Sequence, residues 1–163
     1  MLKHGLVLVA ALLAAAVSAS SASALAPIKS QYTVDNPVVV GAGDLCGFSV
    51  ALSQHATITE IDFLGQSGGL TRIFVHVREQ DTFSANGITL TGVPYSANQT
   101  LVLDEDGNVV SAFAEGVFEN VPLPNGGAFF SAGRANALGK SFALFPDVGV
   151  SGDTAALCAA LTP

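Results

Sequence analysis

The chain has 163 residues, half of them apolar and 12% charged, with six basic residues against thirteen acidic ones and a formal net charge of -7. So acidic a chain, with its few basic residues scattered, repels phosphate backbones and anionic lipid, which excludes a nucleic-acid partner. Its length suits one domain that buries about two thirds of the surface an extended chain exposes, enough for a core without a structural metal.

The first element is a leader. Lys3 and His4 give a positive start, Gly5 to Val17 form an apolar run, and small residues follow through Ser18 to Ala26, the order of a secretory signal peptide. The apolar run is about 13 residues, short of the roughly 20 that span a bilayer, so no membrane span is expected in the mature chain. Cleavage falls between Ala24 and Ala26, preferably after Ala24, because a cut after Ala26 would leave Pro27 as the first residue. The expected organisation is a signal peptide over 1–24, an extended N-terminal arm over 25–45 and a single β domain over 46–163. Within Pro27 to Gly43 the periodic cues are few, and the segment reads as an extended arm or as an edge strand at Pro37 to Val40.

Cys46 and Cys158 are the two cysteines. In an exported chain an even count predicts one disulfide joining the start of the domain to its end. Closing a loop of about 112 residues removes roughly 4 to 5 kcal/mol of unfolded-chain entropy. A zinc site, with His55 and His76 joining the cysteines, is the weaker alternative because the paired ligand spacing is missing.

From Cys46 onward, short β-rich runs alternate with Gly, Pro, Asn and Asp, and the fold class is all-β: an antiparallel, meander-like sandwich or small barrel. His55 to Phe63 is one run, although Ile58 and Ile61 fall on opposite faces, which calls for a bulge near Glu60 or cover on both faces. In Thr71 to Arg78, Ile73, Val75 and Val77 alternate with Phe74, His76 and Arg78, the period of a two-faced strand. Gly65-Gln66-Ser67-Gly68-Gly69 connects the two as a hairpin turn. Asn86-Gly87 precedes Ile88 to Val93, Asp104 to Asn108 separates Gln99 to Leu103 from Val109 to Glu115, and Pro124-Asn125-Gly126-Gly127 separates Val117 to Val121 from Ala128 to Ala135. A last strand is predicted at Ser141 to Phe145. Asp153 then caps a short helix over Thr154 to Leu161, whose Leu157 and Leu161 share a face beside Cys158.

No motif assembles a catalytic site. The G-x-S-x-G spacing of Gly65 to Gly69 matches a nucleophile elbow, yet a strand follows it where that motif needs a helix, and no histidine lies beyond His76. Asp104, Asp106 and Gly107 suggest a calcium loop, but the ligand register is wrong and a solvated acidic turn is the plainer reading. Glu60, Asp62, Glu79 and Asp81 are candidates for paired acid–base work that sequence alone cannot bring together. Asn98-Gln99-Thr100 is a formal glycosylation sequon, otherwise an ordinary loop. Tryptophan is absent and only Tyr32 and Tyr95 are present, which is poor material for a sugar platform. Phe113, Phe129, Phe130, Phe142 and Phe145 read as core, or, if they line a barrel interior, as a pocket for a small hydrophobic ligand.

Cys46-Gly47-Phe48 at the start of the domain, hairpins through Thr89-Leu90-Thr91 and Asp106-Gly107, Gly133-Arg134 late and Leu157-Cys158-Ala159-Ala160-Leu161 at the end form a familiar arrangement. It resembles a group of small secreted actinobacterial proteins of unknown function with a terminal cysteine pair. The likeness covers roughly Cys46 to Leu161 and departs at Gly68-Gly69-Leu70-Thr71-Arg72, where the group often carries a glycine-arginine-rich segment. It implies export, a terminal cysteine pair and a β domain, and carries over no functional residue. The expected function is that of a secreted, non-catalytic, disulfide-stabilised β domain without cofactor or metal, binding a small apolar ligand or an envelope component. The alternatives are a structural or protein-interaction module of the cell surface and, behind it, a hydrolase.

Overall fold

The computed structural model describes residues 25–138 and 146–163. The leader and the strand expected at Ser141 to Phe145 lie outside the described residues. In chain order the elements are β1 (Ile28–Val40), β2 (Val50–Leu64), β3 (Leu70–Ala85), β4 (Ile88–Thr91), β5 (Tyr95–Leu103), β6 (Val109–Pro122), β7 (Ala128–Asn136), β8 (Val148–Val150) and α1 (Thr154–Ala160). The eight described strands form one antiparallel sheet in the order β1-β2-β3-β5-β6-β7-β8, and β4 pairs with the far end of β3. Chain neighbours are thus mostly sheet neighbours, as the meander expected from the turn spacing requires.

Alternation decides which side each residue faces. In β2, Val50, Leu52, Gln54 and Ala56 are buried while Ala51, Ser53 and His55 are exposed. Pairing carries the same phase into β3, where Leu52 lies opposite Phe83, Gln54 opposite Asp81 and Ala56 opposite Glu79. No bulge occurs near Glu60; the register shifts only at Phe63/Leu64, and both faces of Thr57 to Leu64 are half-buried. The glycine-rich Gly65 to Gly69 segment is the β2–β3 hairpin turn, closed by Gly65 N to Gly69 O at 2.8 Å. Asn86 and Gly87, with φ of 52° and 80°, turn β3 into β4 in the positive-φ conformation that a two-residue hairpin favours.

Three elements differ from the sequence reading. The segment read as an extended arm or as an edge strand at Pro37 to Val40 is an edge strand, β1, that includes those residues and runs further, its thirteen residues pairing with β2 from Ile28↔Asp62 to Val40↔Val50. Pro37 sits within it, a position open to proline because an edge strand has no partner on its other side. The two runs Val109 to Glu115 and Val117 to Val121 are one strand, β6, with a bulge between Val117 and Glu119. β8 carries too little pattern in three residues to be read, and it joins β7 through Gly133↔Gly149. These glycines have φ of 150° and 138°, and a Cβ on either would press into the backbone of the other strand.

The sheet curls strongly. β3 and β7 are separated by β5 and β6 in the order, yet the rings of Phe83 and Phe129 meet edge-on across the concave side, with centroids 6.0 Å apart. One end of this concave side is filled by Val50, Leu52, Phe83, Leu90, Val121 and Phe129, and α1 closes it with Leu157 and Leu161, both fully buried. Asp153 caps α1 by accepting from the backbone N–H of Ala156 at 3.0 Å, as its place before the alanine-rich run predicts. Cys46 and Cys158 are joined in a disulfide with Cα atoms 5.5 Å apart, which ties the helix to the chain entering β2.

Replacing both cysteines by alanine is expected to lower the unfolding free energy by about 2 to 5 kcal/mol, measured by urea titration of the two chains side by side. Gly133→Ala is expected to remove amide-exchange protection from Val148 to Val150 while leaving β2, β3 and α1 protected, measured by hydrogen exchange.

Candidate functional site

Above the apolar end, the next layer of inward-facing residues is polar. Gln54, Asp81, Glu119 and Ser131 are buried there, one step along their strands from Leu52, Phe83, Val121 and Phe129. Glu79 and Tyr95, paired across β3 and β5, continue the layer upward. Tyr95 Oη donates to Asp81 Oδ2 at 2.5 Å, and Gln54 Nε2 donates to Glu79 Oε1 at 2.8 Å. Asp81 Oδ1 and both carboxyl oxygens of Glu119 are buried without an N–H or neutral O–H donor. They neighbour other carboxyls, so only retained protons can join these groups.

Three carboxyls in a desolvated layer cannot all ionise. Burial, then the charge of Asp81, pushes Glu79 up to about 8. Burial and Asp81 likewise push Glu119 up to about 10. Asp81 is also raised by burial, but Tyr95, Glu119 and Glu79 donate to it and oppose the rise. Around neutral pH Glu79 and Glu119 therefore keep their protons, beside the Asp81 carboxyl and the Tyr95 phenol. Tyr95 is raised too, by burial and by the neighbouring acids.

The next step beyond this layer is a cavity of about 260 Å³. Val77, Ala97, Ala114, Val117, Phe118 and Ala135 make its apolar wall, Glu79 and Tyr95 lie on the side of the carboxyls, and Asn98, Gln99 and Asn136 add amide-bearing residues to the lining. Small residues leave the room: three of those six wall positions are alanine, which keeps the curled strands from filling their own concave side. Among the described residues no group of three or more His, Cys, Asp or Glu side chains is placed to hold a metal ion.

The phenylalanines singled out from the sequence do not share this cavity. Phe129 is fully buried against Phe83 in the apolar end. Phe130, its neighbour in β7, projects to the other face and is 36% exposed. Phe113 lies under the Arg134 guanidinium, 4.2 Å from ring centroid to Cζ, beside a shallower hollow with Val110, Leu138 and Val148. The alternation of a strand explains this: Phe129 and Phe130 are consecutive and must point apart. Phe142 and Phe145 lie outside the described residues.

The remaining candidates are dispersed. His55 Nδ1 pairs with Asp35 at 2.6 Å and His76 Nδ1 with Asn98 at 2.8 Å, both on exposed surface. The cysteines are consumed by the disulfide, so the zinc alternative falls. Asp104 Oδ1 accepts from the backbone N–H of Asp106 and of Asn108, and these bonds hold its carboxyl below the usual range; the segment is the acidic turn expected. Asn98 is within β5 rather than in a loop. Of the four acids proposed for pairing, Glu79 and Asp81 come together, while Glu60 and Asp62 sit toward the far end of β2.

Glu119 and Gln54 were not legible as partners. The alternation that places Ala112 and Ala114 inside β6 would put Glu119 outside, and the bulge before it reverses that phase. For Glu79 and Asp81 the signal was present, since both share the phase of Val75, Val77 and Phe83 in β3. Comparison with protein-family models, curated proteins and solved structures finds no match.

The carboxyl layer carries a pH dependence whose sign is fixed. An unfolded carboxyl ionises near pH 4. Above that pH the folded chain holds more protons than the unfolded one, so stability is greatest in acid and falls as pH rises through about 8 and then about 10. Glu119→Gln replaces a titrating group by a permanent N–H donor. Urea unfolding at pH 6 and pH 9 is expected to show the parent chain losing more stability than the variant, by roughly 3 to 4 kcal/mol.

Proposed function

We propose that this chain is an exported, non-catalytic β domain that binds a small apolar molecule in the cavity on the concave side of its sheet. The observation that carries the reading is the cavity itself: about 260 Å³ of space with an apolar wall, ending on Glu79 and Tyr95. Binding sites for small molecules have this character, mostly apolar surface with a few polar groups that fix orientation. Export is supported by the leader-like segment 1–24 and by the disulfide, a bond that persists in oxidising compartments. No helix among the described residues is long and apolar enough to cross a membrane. An envelope component that offers a short apolar group would use the same cavity.

A second reading, an interaction module of the cell surface, is favoured by β1. It is an edge strand that exposes Ile28, Tyr32, Val34, Val38 and Val39, and its free backbone edge is a template for strand addition. Asp35 and Pro37 interrupt that edge near its middle, which weakens the reading relative to the cavity.

Filling the cavity separates the two. Ala114→Leu places extra side-chain volume in the apolar wall without touching the carboxyls. Binding of a hydrophobic fluorescent dye or of a medium-chain alcohol, followed by fluorescence or calorimetry, is expected to weaken at least about tenfold in the variant. Unchanged binding would move the site away from the cavity.

A further inference from the structure

We propose that the molecule held in the cavity is an amphiphilic amine, its apolar body against the wall of Val77, Ala97 and Phe118 and its ammonium group against Glu79 and Tyr95. This rests on the cavity reading above and specifies the chemistry of the ligand's polar end.

Four observations lead to it. The cavity lining offers a carboxyl, Glu79, and an aromatic ring, Tyr95, a combination that attracts cations through charge and through the ring quadrupole. Behind them lie Asp81 and Glu119, fully buried, with Asp81 Oδ1 and both Glu119 oxygens lacking a donor. The layer therefore gathers three carboxyls whose hydrogen-bond donors are all neutral. The described basic side chains do not supply a positive charge there: Lys29 is on exposed β1, Arg78 is exposed on the outward phase of β3, Arg72 stacks on Phe63, and Arg134 stacks on Phe113. The phase of β3 and β7 turns all three arginines away from the concave side. Finally, the acids are not placed to hold a metal ion among themselves, so a cation would have to bring its own reach, which an organic ammonium on an apolar stem does.

The alternatives for the polar end fit less well. A carboxylate would lie against the carboxyl of Glu79 with those of Asp81 and Glu119 behind it, and no described arginine faces that side to offset them. An alcohol can donate one hydrogen bond but brings no positive charge to the carboxyl cluster. An ammonium donates up to three and carries that charge. When it binds, a carboxylic acid of the layer can give up its proton to solvent: one ammonium enters and up to one proton leaves, with no bond made or broken elsewhere.

The test compares three molecules of similar size, octylammonium, octanol and octanoate, by isothermal titration calorimetry on the disulfide-bonded full chain at pH 7. Repeating the octylammonium titration in two buffers of different ionisation enthalpy reads proton release. The expected result is octylammonium binding at least about tenfold more tightly than octanol, octanoate weaker than both, and proton release with the ammonium alone. Glu79→Gln is expected to bring octylammonium down to the level of octanol. Should that variant not fold, the three-ligand comparison on the parent chain decides by itself. Octanol equal to or tighter than octylammonium, or preference for octanoate, overturns the amine while leaving the cavity in place as an apolar site. Failure of all three to bind overturns the cavity reading and the amine with it.

Discussion

The covalent tie between Cys46 and Cys158 is the constraint on which the rest of the architecture leans. A single curled sheet has one concave side and must cover it or leave it wet. Here the cover at one end is α1, a helix of seven residues, too short to persist in water unaided. The disulfide holds it against the strands that begin β2 and β7, and Leu157 and Leu161 complete the apolar cluster of Phe83, Val121 and Phe129. Because the tie joins residues 112 apart in sequence, it also draws the two ends of the domain together and restricts the unfolded chain as a whole.

What the helix covers and what it leaves uncovered then set the character of the concave side. Under α1 the inward-facing residues are large and apolar. One step beyond they are Gln54, Asp81, Glu119 and Ser131, and another step beyond they border a cavity walled largely by alanine and valine. The gradient from filled core to polar layer to open space runs along β3, β6 and β7. A domain selected only for stability would place aliphatic side chains in the middle layer, since buried carboxyls cost free energy that apolar groups of like volume do not. Their presence beside a cavity is a local departure from what foldability alone would select.

Charge is sorted by the two faces of the same strands. In β3, Arg72, His76 and Arg78 occupy one phase, and Val77, Glu79 and Asp81 the other. Arg134 of β7 continues the outward phase, and Glu119 of β6 joins the inward one through a bulge. An acidic chain thus hides part of its acidity, holding protons on two of the buried carboxyls. The outer face keeps its cations on aromatic rings, Arg72 on Phe63 and Arg134 on Phe113.

Local patterns in the sequence determined the β class, the hairpin at Gly65 to Gly69, the Asn86-Gly87 turn, the capped helix after Asp153 and the disulfide, because each depends on side chains near one another in the chain or, for the cysteines, on there being only two. The full length of β1 escaped it, since an exposed edge strand buries too little to leave an apolar rhythm. The carboxyl layer escaped it as well. Glu79 and Asp81 show their common face in β3, but Glu119 reaches them only because the sheet curls past β5 and a bulge in β6 inverts the alternation, and Phe113, Phe129 and Phe130 scatter for the converse reason, that neighbours along a strand point apart. Which side chains meet across a curved sheet is decided by register, bulge and curvature together, and these are properties of the assembled strands rather than of any one of them.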